Sequence, residues 1–537
     1  MKATDMAIID GYDLSYTDEE AATIEQDPIR LTLAGHTCAG KTEWLTSLLD
    51  KPFGERSPLP DTTKWEAPDN VRLPGRTEPY IKIYDVPGQQ FSGDVLLRAH
   101  EAFGRYPSPS QMQQFIDSNL HDNDEHAADL KLLSHFRTCD VILFLADCKA
   151  GPTPSNLDEF HLIQRLGLPV IGILNFTAEQ TSEGQGNVDR WREALMLEGA
   201  RKVVRFDAFD MDPRAIQELG RYLVELVADS PLKGKFMNYY WQRTIVEPAQ
   251  FRLNSAVGLV AEFLVNAATY RRWHRLTVDE NEREVSRMMS ASARELAHEK
   301  AKVLESGIVG CFRHEKPIAV GLSPDPDTRD EHSSGLFRLS SGMVLLRGAS
   351  LGAVTGGLLA GLVSGGLGAP AGAAIGGAIG AIIDRTLTVR VRKTKYRNLG
   401  VILEVQLDQK SLQAKCREYL ALIDALQRRG FGCAGPLDLG KSQKRLSGMD
   451  NTTKALSAIR RKRSWSQWDK PGAQARQRTD MVNTLSRLLK DSLEYAAEHD
   501  LIPNKLAVVK MSAETTVTKV YHSLSERMSG RRPWRAQ

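Results

Sequence analysis

Cysteine is scarce in this sequence, and neither sign of charge dominates it. The six cysteines form no Cys-x-x-Cys pair and have no histidine at ligand spacing, which argues against a disulfide framework and a structural zinc site. The 70 Lys and Arg residues nearly balance the 67 Asp and Glu residues, so the overall charge gives no reason to expect a nucleic-acid partner. Residues 1–10 lack both a basic segment and a long apolar run, so we expect no secretory signal and a cytosolic location.

Between residues 29 and 230, short apolar runs alternate with amphipathic segments. This alternation predicts an α/β fold, with a mostly parallel sheet covered by helices. The predicted strands are Ile29–Ala34, Tyr80–Tyr84, Val141–Ala146, Val170–Leu174 and Val203–Phe206. The predicted helices are Lys41–Leu49, Asn156–Leu166, Arg190–Leu197 and Arg214–Ala228. The polar stretch 91–135 interrupts the pattern and is expected to be helical or mobile.

A phosphate-binding motif of the form G-x-x-x-x-G-K-[ST] lies between the first predicted strand and the first predicted helix. It consists of Gly35, His36, Thr37, Cys38, Ala39, Gly40, Lys41 and Thr42. The glycines are needed because backbone N–H groups must curl around phosphate oxygens without a Cβ atom in the way. Lys41 is expected to bind the terminal phosphates and assist catalysis, and Thr42 to place its hydroxyl on Mg²⁺. The N-terminus of the helix then faces the anion.

A second motif, Asp85-Val86-Pro87-Gly88, lies at the end of the second predicted strand. Asp85 in that position can hold Mg²⁺ through water, and the N–H group of Gly88 can bind the γ-phosphate. Gln89 is either the residue that orients the attacking water or a solvated loop residue. Thr63, in the polar loop between the two motifs, is predicted to complete the Mg²⁺ shell, with simple solvation as the alternative.

Together these motifs resemble those of Era-type GTPases of the translation-factor class. More narrowly, the chain resembles a bacterial family that joins such a GTPase to a C-terminal domain of unknown function, number 3482. The resemblance covers about residues 29–468 and is carried by the segments GHTCAGKT, FGERSPLPDTTKW, IYDVPG, VILFLADCKAGP, PVIGILNF, WREAL, VVRFDAFD and RRKRSWSQW. It implies a Ras-like GTPase domain, GTP or GDP and Mg²⁺ as ligands, and a cellular role that the family does not define.

Three residues depart from the pattern of the family. Cys38 stands where relatives usually have the Asn that helps to hold a monovalent ion, so potassium activation is not expected. Gln89 stands where relatives often have an apolar residue, which favours glutamine-assisted hydrolysis. Ala178 replaces the carboxylate of the guanine-reading N-K-x-D motif, although Asn175 can still bond the base. Asp207 or Asp210 is a candidate substitute, and the preference for GTP over ATP stays open at this point.

Residues 348–383 carry no charged side chain, and small residues recur at every fourth position. Small residues at this spacing let two helices approach closely, which is typical of glycine-zipper packing in membranes. Arginines precede the segment, and arginines and lysines follow it, a pattern that predicts a membrane hairpin with both ends in the cytosol. The alternative is a buried soluble helical pair, or a hairpin that inserts only when triggered.

The expected domain order is a leader (1–27), a GTPase domain (28–230), a mainly helical domain (231–345, with a linker near 323–334), the hairpin (346–385), a basic helical region (386–470) and a helical tail (471–537). We expect a guanine-nucleotide switch at the bacterial inner membrane. It would act with an unidentified protein partner, and a homodimer through the GTPase domains is one candidate assembly. The rival interpretations are a nucleotide-gated membrane-remodelling or pore-forming effector with little turnover, and an ATP-preferring P-loop protein.

Overall fold

The computed structural model describes residues 16–51, 69–120, 125–177, 182–312, 320–321, 387–396, 400–430, 437–446, 456–457, 459 and 475–499. Thr63, Ala178, the linker 323–334 and the hairpin segment 348–383 lie outside these residues. Three hydrophobic cores organise the described part of the chain. Two lie on the faces of a six-stranded sheet, and the third lies among long helices.

The six-stranded sheet forms the centre of an α/β domain. Its strands are β1 (Ile29–Ala34), β2 (Asp69–Arg72), β3 (Pro79–Asp85), β4 (Val141–Asp147), β5 (Val170–Asn175) and β6 (Lys202–Arg205). The strand order is β2-β3-β1-β4-β5-β6. All neighbouring pairs are parallel except β2 and β3, which are antiparallel. The predicted mostly parallel sheet is therefore confirmed, and β2 is an edge strand that the sequence pattern does not reveal.

Helices pack against this sheet. They are α1 (Asp18–Gln26), α2 (Lys41–Leu49), α3 (Ser92–Phe103), α4 (Pro109–Asn119), α5 (Ala127–Phe136), α6 (Pro154–Arg165), α7 (Ser182–Leu197) and α8 (Pro213–Val227). The predicted helices correspond to α2, α6, α7 and α8, and the polar stretch 91–135 forms α3, α4 and most of α5. Part of the expected leader is also helical, and Ala21 and Ile24 of α1 are buried in the same core as β1.

The second domain combines long helices with a small antiparallel sheet. The chain reaches this domain through α9 (Pro231–Tyr240) and a π-helical turn (Trp241–Val246). The elements of the domain are the helices α10 (Glu247–Thr269), α11 (Glu282–Cys311), α12 (Gln409–Arg428), α13 (Leu439–Arg445) and α14 (Ala475–His499). Its strands are β7 (Arg272–Arg275), β8 (Val320–Gly321), β9 (Val389–Tyr396), β10 (Gly400–Leu407) and β11 (Leu437–Asp438). The sheet order is β7-β10-β9, and β8 pairs with β11. Among the described residues, no helix combines the length and the apolar character needed to cross a membrane.

Residues 389–407 correct one expectation, because they contain two paired strands where a helical region is expected. Leu403, Val405 and Leu407 are buried, whereas the residues between them are only partly buried. This two-residue period belongs to a strand with one buried face. Basic residues throughout β9 obscure the period in the sequence, but the strand pairs with β10 from Val389 to Tyr396.

The two domains meet where the loop after β6 contacts the end of α12. The N–H group of Met211 donates to the carbonyl oxygen of Arg428 at 2.7 Å. A second contact joins α10 to the end of α2, where Arg252 pairs with Asp50 at 2.5 Å. The α/β domain is therefore attached to the second domain near the loops that follow its strands.

Candidate nucleotide-binding site

The phosphate-binding motif forms the loop between β1 and α2. Gly35 has a φ of +132°, and a Cβ atom there would lie 2.4 Å from the carbonyl oxygen of Leu145, so only glycine fits. Gly40, with a φ of +82°, would place a Cβ atom 2.7 Å from the ring of Phe176. Cys38 is exposed and has a φ of +66°. These left-handed residues give the loop the curled backbone that binds anions at a helix N-terminus.

Lys41 is the first residue of α2, and its side chain is buried. Its Nζ atom donates to the carbonyl oxygen of Gly35 at 2.7 Å and to that of His36 at 3.3 Å. These bonds hold the ammonium group beside the start of the loop, where its charge adds to that of the α2 N-terminus. The arrangement concentrates positive potential in the loop and favours a bound phosphate.

Thr42 and Asp85 are distant in sequence but adjacent in the fold. The Thr42 hydroxyl donates to Asp85 Oδ2 at 2.5 Å, and Asp85 is buried at the end of β3. Hydroxyl and carboxylate oxygens are ligands that Mg²⁺ accepts, and its remaining ligands in such sites are phosphate and water. Within the described residues, no group of three His, Cys, Asp or Glu side chains could hold a metal. Thr42 and Asp85 supply one hydroxyl and one carboxylate oxygen, which are donor types that Mg²⁺ accepts.

The loop after β3 contacts the phosphate-binding loop at Gly88. A Cβ atom on Gly88 would lie 2.5 Å from the backbone nitrogen of Thr37 and 2.8 Å from its hydroxyl oxygen, so only glycine permits this contact. Gln89 is 2% exposed, and its side-chain amide makes no hydrogen bond within the described part of the chain. Burial removes the alternative of a solvated Gln89, and its role in orienting water stays a prediction.

Glu159 of α6 has no recognisable signal in the sequence, yet it lies beside both loops. Its side chain is 1% exposed, and its carboxylate lies near enough to the backbone N–H groups of Gly35 and Gln89 for them to lower its pKa. Burial raises the pKa of Glu159 to about 7, while Lys41 and the two N–H groups act in the opposite direction. The Nδ1 atom of His36 lies 4.0 Å from Glu159 Oε2. One buried carboxylate thus lies beside both the phosphate-binding loop and the loop after β3.

Asp129 of α5 anchors the next part of the loop after β3, and it too was missed in the sequence. Its carboxylate accepts from the N–H group of Phe91 at 2.7 Å and from that of Gln90 at 3.2 Å. Burial is the largest influence on Asp129 and raises its pKa, whereas the two N–H groups lower it. A carboxylate in an amphipathic helix normally indicates the solvent face, so only the packed fold reveals this contact.

Asn175 ends β5 and is fully buried. Its Nδ2 atom donates to the carbonyl oxygen of Ala39 at 3.0 Å, and its Oδ1 atom accepts from the N–H group of Ala208 at 2.9 Å. The side chain thus joins the phosphate-binding loop to the loop after β6. Phe176 follows with a φ of +56°, and the Nζ atom of Lys149 lies 3.6 Å from the centroid of its ring. A direct bond from Asn175 to a base stays a prediction.

The two carboxylates considered as guanine readers both have bonds within the protein. Asp207 is buried, and its Oδ1 atom accepts from the N–H group of Phe209 at 2.8 Å. Asp210 forms an ion pair with Arg428 of α12. Asp207 thus lies in the loop that Asn175 holds, next to Ala208, and its contact with a base stays a prediction.

Several solved structures resemble parts of the chain. A bacterial selenocysteine-specific elongation factor, EF-Sec, has 15% identity and a TM-score of 0.25, over 38% of this chain and 29% of that one. The elongation factor SelB from Methanococcus maripaludis has 13% identity and a TM-score of 0.22, over 38% and 34%. Era from Aquifex aeolicus, bound to GDP and AlF4−, has 15% identity and a TM-score of 0.23, over 47% and 74%. The match covers about a third of each elongation factor, and these likenesses carry no argument about activity.

No curated protein matches the sequence. A family described as Domain of unknown function (DUF3482) matches residues 192–487, which is more than half of the 537 residues. The phosphate-binding motif and Glu159 precede this region, whereas Asp207 and Arg428 lie within it. The chain therefore belongs to the DUF3482 family.

Proposed function

We propose that the chain binds GTP together with Mg²⁺, hydrolyses it, and acts as a nucleotide-dependent switch. The observation that carries this proposal is the meeting of three features beside the N-terminus of α2. They are the curled phosphate-binding loop, the Thr42–Asp85 pair with its 2.5 Å bond, and the contact between Gly88 and Thr37. Each feature alone is common, but together they provide for phosphate, for a cation and for sensing of the γ-phosphate.

In this proposal, some residues bind the phosphates and Mg²⁺, and one residue orients the attacking water. Lys41 and the backbone N–H groups of the loop hold the phosphate oxygens and neutralise their charge. Thr42 and Asp85 would hold Mg²⁺, which when bound neutralises further charge on the phosphates. Gln89 orients a water molecule whose oxygen bonds to the γ-phosphorus while the bond from that phosphorus to the bridging oxygen breaks, which releases GDP and phosphate.

An ATP-preferring site is the second candidate, and the bonds of Asp207 and Asp210 within the protein favour it. Discrimination of guanine is strong where a buried group pairs with the N–H donors of the ring. Asp207 bonds the N–H group of Phe209, and Asp210 pairs with Arg428. If no carboxylate contacts the base, the affinity for GTP exceeds the affinity for ATP by a smaller factor.

We further propose that the switch acts at the bacterial inner membrane, with the α/β domain in the cytosol. The support is the charge-free segment 348–383 with its basic flanks, a pattern of the sequence alone. Sedimentation with liposomes tests this, using the full chain and a chain without residues 348–383, each with a GTP analogue, with GDP or without nucleotide. Lipid binding that is the same with the GTP analogue, with GDP and without nucleotide would favour an effector with little turnover. The unidentified protein partner and the homodimer stay predictions.

The proposed GTPase activity is tested by phosphate release from GTP by the full chain, with and without Mg²⁺. The variants are Lys41→Ala and, as a matched control, Lys410→Ala at an exposed position of α12. We expect turnover that requires Mg²⁺, persists in Lys410→Ala, and falls by about 100-fold or more in Lys41→Ala. Equal turnover in Lys41→Ala and the wild type would exclude this site as the source of activity.

A further inference from the structure

The small sheet of the second domain has one face against the core and one face away from it. Leu403, Val405 and Leu407 of β10 are buried in the core, and Val389 and Val391 of β9 pack against the same core. Side chains alternate along a strand, so the residues between these positions belong to the other face. We call this second face of the β7-β10-β9 sheet the open face. Its main residues are Trp273, Arg275, Arg390, Arg392, Ile402 and Glu404.

The open face combines an exposed aromatic ring with exposed arginines. Trp273 lies opposite Glu404, which lies opposite Arg392 on its other side, and Arg275 lies opposite Ile402 in the next row of the sheet. Residues opposite each other in an antiparallel sheet share a face, with their Cβ atoms about 5 Å apart. Trp273 is 49% exposed, and Arg275 and Arg392 are exposed as well. The indole ring thus has one arginine on its own strand and another two strands away.

The acidic residues beside the open face are paired with arginines. Glu404 lies 3.1 Å from the guanidinium group of Arg271, which is buried. Asp408, directly after β10, forms an ion pair with Arg390. The negative charge near this face is therefore compensated by the protein itself.

The exposed arginines differ in this respect from the basic residues of the covered face. On the covered face, Lys393 pairs with Glu282 of α11, and Arg272 donates to a serine hydroxyl of the same helix at 2.6 Å. By contrast, the side chains of Arg275 and Arg392 form no ion pair with any residue in the described part of the chain. Two positive charges beside an exposed indole ring therefore remain for a partner outside the protein.

We propose that the open face docks on a phospholipid surface that carries anionic headgroups. Arg275 and Arg392 bind headgroup phosphates, because a guanidinium group donates two parallel hydrogen bonds to a phosphate. Trp273 lies at the boundary between headgroups and acyl chains, where indole rings are enriched in membrane proteins. The inference rests on the proposed location at the inner membrane and names the docking surface and the class of lipid.

The position of the open face in the chain favours lipid over nucleic acid, which also offers phosphates. β9 begins at Val389, six residues after the end of the charge-free segment 348–383, and six residues span at most about 20 Å. A segment held at the bilayer therefore keeps β9 near the headgroups. The nearly balanced total of 70 basic and 67 acidic residues gives no general attraction to nucleic acid.

The experiment measures sedimentation of the full-length chain with two kinds of vesicle, at low and at high salt. One kind is phosphatidylcholine alone, and the other contains about 30% phosphatidylglycerol, which gives an anionic surface. The variant is Arg275→Gln/Arg392→Gln. Its matched control is Arg192→Gln/Arg201→Gln, which removes two exposed arginines from the α/β domain.

We expect the wild type to bind the anionic vesicles more tightly, by a factor that falls as salt rises. Arg275→Gln/Arg392→Gln should lose about 10- to 30-fold in affinity for the anionic vesicles, because each arginine near such a surface contributes to binding. Its affinity for phosphatidylcholine vesicles should be unchanged, and the control should follow the wild type. Arg275→Lys/Arg392→Lys keeps both charges and should retain the preference for anionic vesicles.

Four results would overturn the inference. Equal affinity of the wild type for both vesicles, or an unchanged preference in Arg275→Gln/Arg392→Gln, would do so and leave the proposed membrane location intact. Loss of the preference in the lysine variant as well would assign the effect to the structure of the sheet. Loss of binding to a single-stranded RNA in Arg275→Gln/Arg392→Gln, with the lipid preference retained, would assign the face to nucleic acid. Absence of wild-type binding to either vesicle would overturn the membrane location too.

Discussion

The guanidinium group of Arg428 lies 3.2 Å from the carboxylate of Asp210, and this pair joins the second domain to the loop after β6. The same loop donates the N–H group of Ala208 to the side chain of Asn175. Asn175 in turn donates to the carbonyl oxygen of Ala39 in the phosphate-binding loop. A connected series of contacts therefore runs from the phosphate-binding loop to α12.

Replacement of Arg428 by methionine should destabilise the protein. Arg428 is buried and lies within 3.7 Å of Asp212 and within 3.5 Å of Asp424, in addition to its pair with Asp210. Loss of the cation removes a buried charge from between three carboxylates, of which Asp212 keeps Arg214 and Asp424 keeps Arg445. We expect the free energy of unfolding to fall by about 3–5 kcal/mol, because Asp210 loses this partner. Urea denaturation measures this, with Arg417→Met, at an exposed position of the same helix, as control. Equal stability of the two variants would contradict the structural role of Arg428.

Replacement of Asp85 by asparagine should weaken the response to Mg²⁺. The change keeps the shape of the side chain but removes the charge beside Thr42. We expect the Mg²⁺ concentration that gives half-maximal GTP hydrolysis to rise by about 10- to 100-fold. Asp94→Asn, at an exposed position in the first turn of α3, is the control and should leave that concentration unchanged. An unchanged Mg²⁺ requirement in Asp85→Asn would remove Asp85 from the metal site.

Replacement of Gly88 by alanine should impair hydrolysis more than it impairs binding of GDP. The added Cβ atom would lie 2.5 Å from the backbone nitrogen of Thr37, so the loop after β3 must move away from the phosphate-binding loop. We expect kcat to fall by about 10- to 100-fold, because displacement of an aligned group carries that cost. Gly258→Ala in α10 meets no atom within 4 Å and serves as control. Similar kcat values for the two variants would show that hydrolysis does not require the close contact between Gly88 and Thr37.

The stability of the protein should depend on pH through Glu159. Its pKa is about 7 in the folded protein, against an ordinary value of 4.5, so the folded state binds the proton more tightly than the unfolded state does. The stabilisation is fully present below about pH 4.5 and is lost as the pH rises through about 7, by an amount on the order of 3 kcal/mol. Glu159→Gln should lack this loss and be more stable than the wild type at alkaline pH. Urea denaturation at acidic and alkaline pH measures it, and an identical pH dependence in both proteins would assign the effect to other groups.

The sequence was sufficient to predict the elements that create the phosphate-binding loop. β1 and α2 have the predicted bounds because a buried apolar run, a glycine-rich turn and a helix follow one another over a short stretch. The sequence pattern does not predict β2, because it is an edge strand of four residues, Asp69–Arg72, with little apolar character. Such a strand forms only because β3 offers a partner, which is information from outside its own sequence.

The contacts made by the candidate site were harder to predict than its motifs. The motifs indicated Lys41, Thr42 and Asp85 through local spacing, and the structure brings these residues together. Glu159 was missed because a glutamate in a helix ordinarily indicates a solvated face, and its burial results from the packing of α6 against loops far away in sequence. Long-range packing of this kind leaves no periodic or compositional trace.

The loop from Gly35 to Thr42 is proposed to bind a guanine nucleoside triphosphate. The most direct test is calorimetric titration of the full-length protein with non-hydrolysable GTP and ATP analogues in the presence of Mg²⁺, with Lys41→Ala as control. We predict tight binding of the GTP analogue, weaker binding of the ATP analogue, and loss of both in Lys41→Ala. Equal or tighter binding of the ATP analogue would contradict the assignment as a GTPase, and binding that persists in Lys41→Ala would contradict the site itself.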